Sequence, residues 1–326
     1  MIRYIIRRLL WGILLFLAVT FVTFLIFYVM PINPAKLVAG KAATAQEVQA
    51  VAHKLYLDRP IYVQFAHFLK QLVVDHSLGY SYANRQSVNT TVLSAAPITA
   101  SLVIGGAILW IVVAVFVGVL SALKPRTLMD RTTMVTVLAG YSVHPIWLGL
   151  IAIYLLAYIP TTGHLGPISF PAFSAFPLAG YCNLRGASPG QQCGGPWDWF
   201  HALMLPWLVF ATGYSAYYVR MIRGTVRSTL NEDYVRTARA KGAPERVVLR
   251  SHVLRNAMLP VVTMFGMDVA LALGGAIIVE NVFSMPGLGY IAVHSLGQFD
   301  YTVTMGVVVF ATLIIIIVNL LIDLLY

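Results

Sequence analysis

The stretch TASLVIGGAILWIVVAVFVGVLSAL, residues 99–123, decides how the rest of the chain is interpreted. It carries no charged side chain, and a helix rising about 1.5 Å per residue needs about 20 such residues to cross the hydrocarbon of a bilayer. The conformation must be helical because lipid offers no hydrogen-bond partner to unpaired backbone groups. These residues therefore predict a transmembrane helix.

The remainder of the chain has the same apolar character. Of its 326 residues, 59% are hydrophobic and 10% are charged, and the mean hydropathy is +0.79. That balance excludes an ordinary soluble domain. Five more segments are long and apolar enough to span a membrane: residues 9–30, 134–159, 201–220, 258–279 and 303–326. The sequence therefore predicts an all-α integral membrane protein with six transmembrane helices.

The distribution of basic residues predicts the orientation. Six crossings place the loops alternately on two sides, and fifteen of the 22 Lys and Arg residues fall on the side of the N-terminus. By the positive-inside rule that side is cytoplasmic. We interpret the first apolar segment as a retained anchor, because it is longer than the apolar part of a signal peptide. The net charge of +10 is thus expected to face membrane lipid, and no nucleic-acid partner is predicted.

The predicted spans divide the chain into three regions. Residues 1–30 form the cytoplasmic start and the first span, residues 31–98 form an extracellular helical subdomain, and residues 99–326 form the core with the other five spans. The core also contains an extracellular loop, residues 160–200, and a cytoplasmic loop, residues 221–257.

Two helices are predicted in the extracellular subdomain. Thr44 and Glu47 fit a capping box, and Pro60 suits the first turn of a second helix. Behind the box Val48, Val51, Ala52 and Leu55 share a face; in the second helix the apolar stripe is Ile61, Phe65, Phe68, Leu69 and Leu72. Two interpretations stay open: the subdomain packs on the bundle as a cap, or it docks an external partner.

The extracellular loop contains both cysteines of the chain, Cys182 and Cys193. On an oxidising face they would form a disulfide that closes a short loop, and two free thiols are the alternative. Neither cysteine belongs to a cluster with metal-ligand spacing, so no metal site is predicted.

The cytoplasmic loop has the sequence of a short, defined helix. Asn231 is the expected N-cap, Asp233 lies in the first turn, Gly242 ends the helix, and Pro244 starts another. Tyr234, Ala238 and Gly242 are spaced to share one face, where small residues permit close approach by another surface. Arg236, Arg239 and Lys241 flank that face as candidate partners for carboxylates.

Several of these motifs resemble one family, the permease subunits of dipeptide and oligopeptide ABC importers. The resemblance is carried by DYVRTARAKG, residues 233–242, by LRNAMLP, residues 254–260, and by FSMPGLG, residues 283–289. It extends to RYIIRRLL near the N-terminus, to LYLDRPIYVQF and to NLLIDLLY at the end. Two positions depart from the family pattern: Pro31 to Pro34 reads PINP, and Arg236-Thr237-Ala238 stands where the general motif has Glu-Ala-Ala.

The resemblance implies a type I ABC importer permease fold that works by alternating access. Its implied partners are a second homologous permease subunit, two ATP-binding subunits and an extracellular substrate-binding protein. ATP and Mg would be held by the partner ATPase subunits, and this chain would bind no cofactor. The implied substrate is a di- or oligopeptide; a nickel chelate, glutathione or haem is the alternative. The residues implied in coupling to the ATPase are Asp233, Tyr234, Arg236, Thr237, Ala238, Arg239, Lys241, Gly242 and Ala243.

No catalytic residue is predicted, because the chain has no GxxxxGK phosphate loop and no HExxH motif. Ionisable residues inside spans are candidates for the substrate pathway, since they are costly in lipid. The candidates for the pathway or its gate are Asp268, Glu280, Pro286, Gly287 and Gly289. The alternative for Asp268 is a carboxylate satisfied by a neighbouring helix. His144 in the third span is a further ionisable residue, and we interpret it as a packed, hydrogen-bonded residue rather than a functional one. A self-contained secondary transporter is the other class considered, but the inverted repeats typical of one are not visible.

Overall fold

A computed structural model describes residues 2–29, 44–54, 58–81, 83–165, 168–169, 176–186 and 193–325. The α-helices are α1 (Ile2–Val29), α2 (Ala45–Lys54), α3 (Ile61–Val73), α4 (Val88–Leu123), α5 (Leu128–Ser142), α6 (Pro145–Ala152), α7 (Ile159–Thr162), α8 (Pro196–Leu230), α9 (Asp233–Ala240), α10 (Glu245–Val247), α11 (Arg255–Val282), α12 (Leu288–Gly297) and α13 (Tyr301–Leu325). Two π-helical segments, Ile153–Tyr158 and Val248–Leu254, join α6 to α7 and α10 to α11. Two short antiparallel hairpins pair β1 (Tyr80–Ser81) with β2 (Gln86–Ser87) and β3 (His164–Leu165) with β4 (Ile168–Ser169).

The prediction of six membrane-spanning helices is confirmed. Within the described residues, six helices are long and apolar enough to cross a bilayer: Ile5–Phe27, Val88–Leu123, Pro145–Thr162, Pro196–Leu230, Leu259–Val282 and Tyr301–Asp323. Five of them contain or closely overlap the segments read from the sequence. The length and apolar composition of these helices match the hydrocarbon thickness of a bilayer.

The third predicted span, residues 134–159, is not one continuous helix. It is broken between α5 and α6 because Pro145 has no N–H to donate to the preceding turn. His144 caps the second part, where its Nδ1 accepts a hydrogen bond from the Ile146 N–H at 3.3 Å. The interpretation of His144 as a hydrogen-bonded residue is confirmed, but its side chain is exposed, so the prediction that it is packed was wrong.

One compact unit contains Met1–Pro97 and Gly287–Leu325. In it α1 and α12 both pack against α13, and Arg8 of α1 forms an ion pair with Asp323 of α13. The β1–β2 hairpin is tied to the start of α13 because the Ser81 hydroxyl donates to Asp300. The buried core of this unit is Val88, Val92, Ala95, Leu288, Val303 and Val307.

The predicted helices of the extracellular subdomain lie in this unit. The capping box is present: the Thr44 N–H donates to Glu47 Oε2 at 2.7 Å, and the Glu47 N–H donates to Thr44 Oγ1 at 3.4 Å. These bonds hold the pKa of the Glu47 carboxyl below its usual value. In the second helix Phe65 packs against Phe21 and Phe24 of α1, with ring centres 5.0 and 5.5 Å apart. Part of the apolar stripe thus packs against this chain's own α1, which favours the cap interpretation.

Part of that subdomain lies outside the described residues. The Pro31 to Pro34 turn and Leu55 are among the residues that lie outside. The division of the chain into residues 1–30, 31–98 and 99–326 stays a prediction.

The second unit is Ile98–Pro286. Its centre is α8, which packs against α5, α6 and α11. The largest fully buried side chains include Trp110, Leu203, Tyr218 and Ile222. α4 and α8 approach so closely at Gly105 that a Cβ there would lie 2.1 Å from the Trp207 ring.

At one end of this unit the loop predicted to be extracellular, residues 160–200, is bonded to the end of α11. Cys182 and Cys193 form a disulfide with Cα atoms 5.4 Å apart, which is the first of the two alternatives that the sequence allowed. The Gly180 N–H donates to the carbonyl of Phe283 at 2.9 Å, just after α11 ends.

Candidate functional site

Helix α9, in the loop predicted to be cytoplasmic, begins one residue later than its predicted cap suggested. The N-cap is Glu232, with extended backbone, and the helix starts at Asp233. Asn231 instead keeps the helical conformation of α8, and its Nδ2 donates to the Arg227 carbonyl at 3.1 Å. The prediction of Asn231 as N-cap was wrong because its side chain bonds back into the preceding helix.

The end of α9 is fixed by Gly242, as predicted. Gly242 has a φ of 77°, in the left-handed region that favours glycine. Its N–H donates to the Arg239 carbonyl at 2.9 Å, and the Ala243 N–H donates to the Ala238 carbonyl at 3.2 Å. These two bonds form a Schellman motif. Pro244 then caps α10, so the chain turns sharply and α9 ends at a defined point.

One side of α9 is embedded in the second unit. Val235 is fully buried in its core, and Ala238 and Ala243 pack against that core. Tyr234 is also held, because its hydroxyl accepts a hydrogen bond from Asn256 Nδ2 at 3.0 Å. The helix is therefore anchored to the bundle rather than free in solution.

The face predicted for close approach consists of Tyr234, Ala238 and Gly242, and the structure shows how far each of them is exposed. Tyr234 is 40% exposed, Gly242 is exposed, and Ala238 is partly buried against the core, so the anchoring narrows this face without closing it. The open side carries Asp233 and Arg236, whose side chains are 98% and 70% exposed. Thr237, Ala240 and Lys241 are exposed as well.

Two of the three flanking basic residues have carboxylate partners within the chain. Arg239 donates to both carboxylate oxygens of Glu245, at 3.1 and 2.6 Å. This pair raises the pKa of Arg239 and lowers that of Glu245. Arg236 lies 3.7 Å from Asp233 on the next turn. Arg239 thus closes the turn between α9 and α10.

Asp268 lies on α11 within the span and contacts an aromatic cluster. The Tyr218 hydroxyl of α8 donates to its Oδ2 at 2.6 Å. Among the described residues, no Lys, Arg or His comes within ion-pair distance of Asp268. The carboxylate is therefore satisfied in part by a hydroxyl on a neighbouring helix, while its charge is not compensated within the described chain.

Glu280, the other acidic candidate on α11, is enclosed by its own unit. Its side chain is fully buried, and Oε1 accepts a hydrogen bond from the Thr99 hydroxyl at 2.6 Å. Its backbone carbonyl accepts from the Met285 N–H at 2.8 Å, which helps to close the end of the helix. These contacts tie the start of the second unit to the end of α11.

The turn after α11 has one exposed candidate. Pro286 is exposed, whereas Gly287 and Gly289 are buried. Ser284 occupies the left-handed position of a Schellman motif, with a φ of 51°. Glu280 therefore contacts this turn through its backbone carbonyl, whereas the hydrogen bond described for Asp268 comes from Tyr218 of α8.

The sequence reasoning missed an ion pair at the start of α5. Arg223 of α8 donates to both oxygens of Asp130, at 2.7 and 2.8 Å, and the Ser121 hydroxyl donates to the same carboxylate. The Arg126 N–H adds a bond of 3.0 Å. These donors, Arg223 first, hold the pKa of the Asp130 carboxyl far below its usual range. The sequence gives only a weak signal for this pair, because Arg223 is one of three arginines near the end of α8, with Arg220 and Arg227.

No metal centre was found. Within the described residues, no three His, Cys, Asp or Glu side chains gather closely enough to hold a metal ion.

The comparisons with known proteins agree over the whole chain. Residues 114–326 match the family described as binding-protein-dependent transport system inner membrane component, and residues 1–103 match its N-terminal family. The chain is 36% identical over 331 residues to the dipeptide transport system permease protein DppB of Escherichia coli (strain K12), covering 100% of this chain and 97% of that protein. It is 35% identical, with the same coverage, to the di/tripeptide transport system permease protein DppB of Pseudomonas aeruginosa (strain UCBPP-PA14). A putative peptide permease protein of Brucella suis biovar 1 (strain 1330) is also 35% identical.

Proposed function

Because this chain belongs to the family of binding-protein-dependent transport system inner membrane components, we propose that it forms one half of the pathway of an ATP-driven peptide importer. Di- and oligopeptides are the proposed substrates, since the relatives from Escherichia coli and Pseudomonas aeruginosa are a dipeptide and a di/tripeptide permease. The chain is a multi-pass inner membrane protein, and we place its N-terminus in the cytoplasm on the distribution of Lys and Arg.

The proposed assembly supplies what this subunit does not. A second homologous permease completes the pathway, two ATP-binding subunits hold ATP and Mg and hydrolyse the nucleotide, and an external substrate-binding protein delivers the peptide. The permease then alternates between outward-open and inward-open states.

The observation that carries this proposal is that α9 has one side buried against the bundle and one side exposed. Its inner side is anchored through Val235 in the core of the second unit, and its outer side presents exposed residues that begin with Asp233. A force applied to the outer side is therefore passed to α8 and α11 instead of being lost in a flexible loop. The coupling residues in this proposal are Asp233, Tyr234, Arg236, Thr237, Ala238, Arg239, Lys241, Gly242 and Ala243.

Within that set the roles differ. Asp233, Arg236, Thr237 and Lys241 would contact the ATP-binding subunit, since their side chains are exposed. Tyr234, Ala238 and Ala243 would fix α9 to the bundle, and Arg239 and Gly242 would fix its end. When ATP closes the two motor subunits, the two coupling helices are drawn together and the bundle opens outward.

The proposed pathway and gate residues stay Asp268, Glu280, Pro286, Gly287 and Gly289. Asp268 is the strongest of them, because it reaches the surface of its unit within a span. Glu280 would act by holding the end of α11 rather than by contacting substrate, because its side chain is fully buried.

The test is a bulky substitution on the outer side of α9. Ala240→Trp leaves the buried anchor intact and obstructs the exposed side, and Ser228→Trp makes the same change at an exposed position on α8. In the purified assembly we expect Ala240→Trp to lower recovery of the ATP-binding subunits and peptide-stimulated ATPase activity about tenfold or more, as hot-spot contacts do. Ser228→Trp should leave both within about twofold.

Equal recovery and equal ATPase activity for the two variants would contradict the coupling role of α9. Accumulation of solute by vesicles that contain this subunit alone, driven by an ion gradient, would contradict the ABC importer itself.

A further inference from the structure

Asp268 places a carboxyl group within a membrane-spanning helix, where lipid offers it no hydrogen-bond partner. It lies within the span Leu259–Val282, and its side chain is partly exposed at the surface of its unit. A carboxylate facing hydrocarbon is costly, so this part of α11 must face protein or water. Only one carboxylate oxygen receives a hydrogen bond from a described residue, the Tyr218 hydroxyl at 2.6 Å. The other oxygen is available to a ligand.

The carboxylate is set beside electron-rich rings. Tyr218 is fully buried behind it, and Trp110 stacks on Tyr214 with ring centres 4.4 Å apart and planes at 18°. Phe265 closes the cluster from α11, 5.4 Å from the Trp110 ring. Tyr214 is partly exposed, so part of this aromatic wall reaches the same surface as Asp268. The buried indole N–H of Trp110 is a hydrogen-bond donor with no partner among the described residues.

The two features meet along one edge of α11. At about 100° per residue, Asp268, Leu271 and Gly275 follow one another on that edge. Leu271 is 69% exposed, and a Cβ on Gly275 would lie 3.2 Å from the Tyr214 hydroxyl. The absence of a side chain at Gly275 thus leaves room for Tyr214 at the rim of the site.

We infer that Asp268 and the Tyr214–Tyr218 aromatic wall form a binding site for an organic ammonium group, and that its ligand is the amino terminus of the transported peptide. The inference rests on the proposed function. A carboxylate beside aromatic faces is the combination that recognises ammonium ions, through charge and through cation–π attraction. Every unmodified peptide carries this group whatever its side chains, so such a site serves peptides of varied sequence.

A rival occupant is a Lys or Arg side chain of the second permease subunit. It would neutralise Asp268 permanently and leave no place for the peptide. The two occupants differ in whether the site is open to water and whether a peptide covers it.

A single thiol beside Asp268 reports both properties. The chain has two cysteines and both are in the disulfide, so Leu271→Cys introduces the only free thiol of this subunit. In the complete transporter in nanodiscs, the thiol is reacted with a cationic and an anionic methanethiosulfonate reagent of similar size, with Asp268 present or replaced by Asn. Leu128→Cys, at a residue that is 81% exposed on α5, is the matched control.

We expect the cationic reagent to react faster at Leu271→Cys, and Asp268→Asn to reduce its advantage about fivefold, as removal of one nearby charge should. Dialanine should slow the reaction, N-acetyl-dialanine should not, and Asp268→Asn should abolish the protection. At Leu128→Cys neither dialanine nor Asp268→Asn should have an effect. In cells Asp268→Asn should reduce dialanine uptake about tenfold, and Asp268→Glu should restore part of it.

Three outcomes would overturn the inference: a thiol that neither reagent modifies in any nucleotide state, protection that is equal for the two peptides, or protection that survives Asp268→Asn. The first would assign the site to the second subunit. Dialanine uptake by the wild-type transporter separates this failure from the larger one, because a wild-type complex that does not import dialanine refutes the proposed function itself.

Discussion

Asp130 and Asp268 are two carboxylates in the same unit with opposite electrostatic surroundings. Each contacts α8 and each accepts a hydrogen bond from a hydroxyl, of Ser121 in one case and of Tyr218 in the other. Asp130 also has a cation, since Arg223 binds both of its oxygens. Asp268 has none among the described residues. We therefore interpret Asp130, which is paired with Arg223, as a structural residue. Asp268, which has no such partner among the described residues, is the one that we propose to bind a ligand.

The two surroundings also differ in completeness. The Asp130 side chain is 5% exposed and receives bonds from Arg223, Ser121 and the Arg126 N–H, so the turn between α4 and α5 is locked to α8. Asp268 is partly exposed and has one donor. From this contrast we expect that replacing Asp130 lowers stability and that replacing Asp268 lowers transport.

The largest expected effect is on stability, from Asp130→Asn. The substitution removes the negative charge and leaves the Arg223 guanidinium, 23% exposed, without its partner. We expect the free energy of unfolding to fall by about 3 kcal/mol, since the loss of one member of a buried ion pair strands the other. Unfolding of the purified subunit in mixed detergent micelles by increasing SDS, followed by circular dichroism, measures the change.

Two further variants serve as controls for the Asp130→Asn measurement. Asp233→Asn, at a side chain that is 98% exposed, should change the unfolding free energy by less than about 0.5 kcal/mol. Arg223→Met added to Asp130→Asn should recover part of the loss, because the stranded charge is then gone. A single variant as stable as wild type would show that Asp130 is not an architectural residue.

A smaller effect is expected at the other carboxylate. Asp268→Asn should lower the unfolding free energy by less than about 1 kcal/mol, because the Asn carbonyl still accepts the Tyr218 hydrogen bond and no cation is stranded. The same SDS titration measures it, beside the uptake of dialanine. A loss as large as that of Asp130→Asn would remove the distinction between the two sites.

Much of the fold could be predicted because its signals are local. The length of apolar runs gave six spans, the spacing of Thr44 and Glu47 gave a capping box, and Gly242 marked the end of α9. Each of these features depends on residues close together in the chain, because the interactions that form a helix or a cap join residues only a few positions apart. Family motifs such as residues 233–242 added the transport function.

The rest depends on contacts between distant residues. Asp130 and Arg223 are separated by 93 positions, and no local pattern pairs them. The anchoring of α9 is a second example, since the core that buries Val235 is built from distant parts of the chain. Asn231 is not the N-cap of α9 because its side chain donates to the Arg227 carbonyl of α8 instead.

The smallest expected effect is on the pH dependence of the Asp130 contribution. Arg223 and Ser121 lower the pKa of the Asp130 carboxyl, so folding favours its ionised form. The resulting stability is complete above the unfolded pKa, about 4, and is lost as the pH falls below that value toward the folded pKa. The difference in unfolding free energy between wild type and Asp130→Asn should therefore vary by less than about 0.5 kcal/mol from pH 5 to pH 8 and should shrink below about pH 4. Unfolding titrations at a series of pH values measure it. A difference that changed strongly near pH 6 would show that the stabilising group is not this ion pair, because neither Asp130 nor Arg223 titrates there.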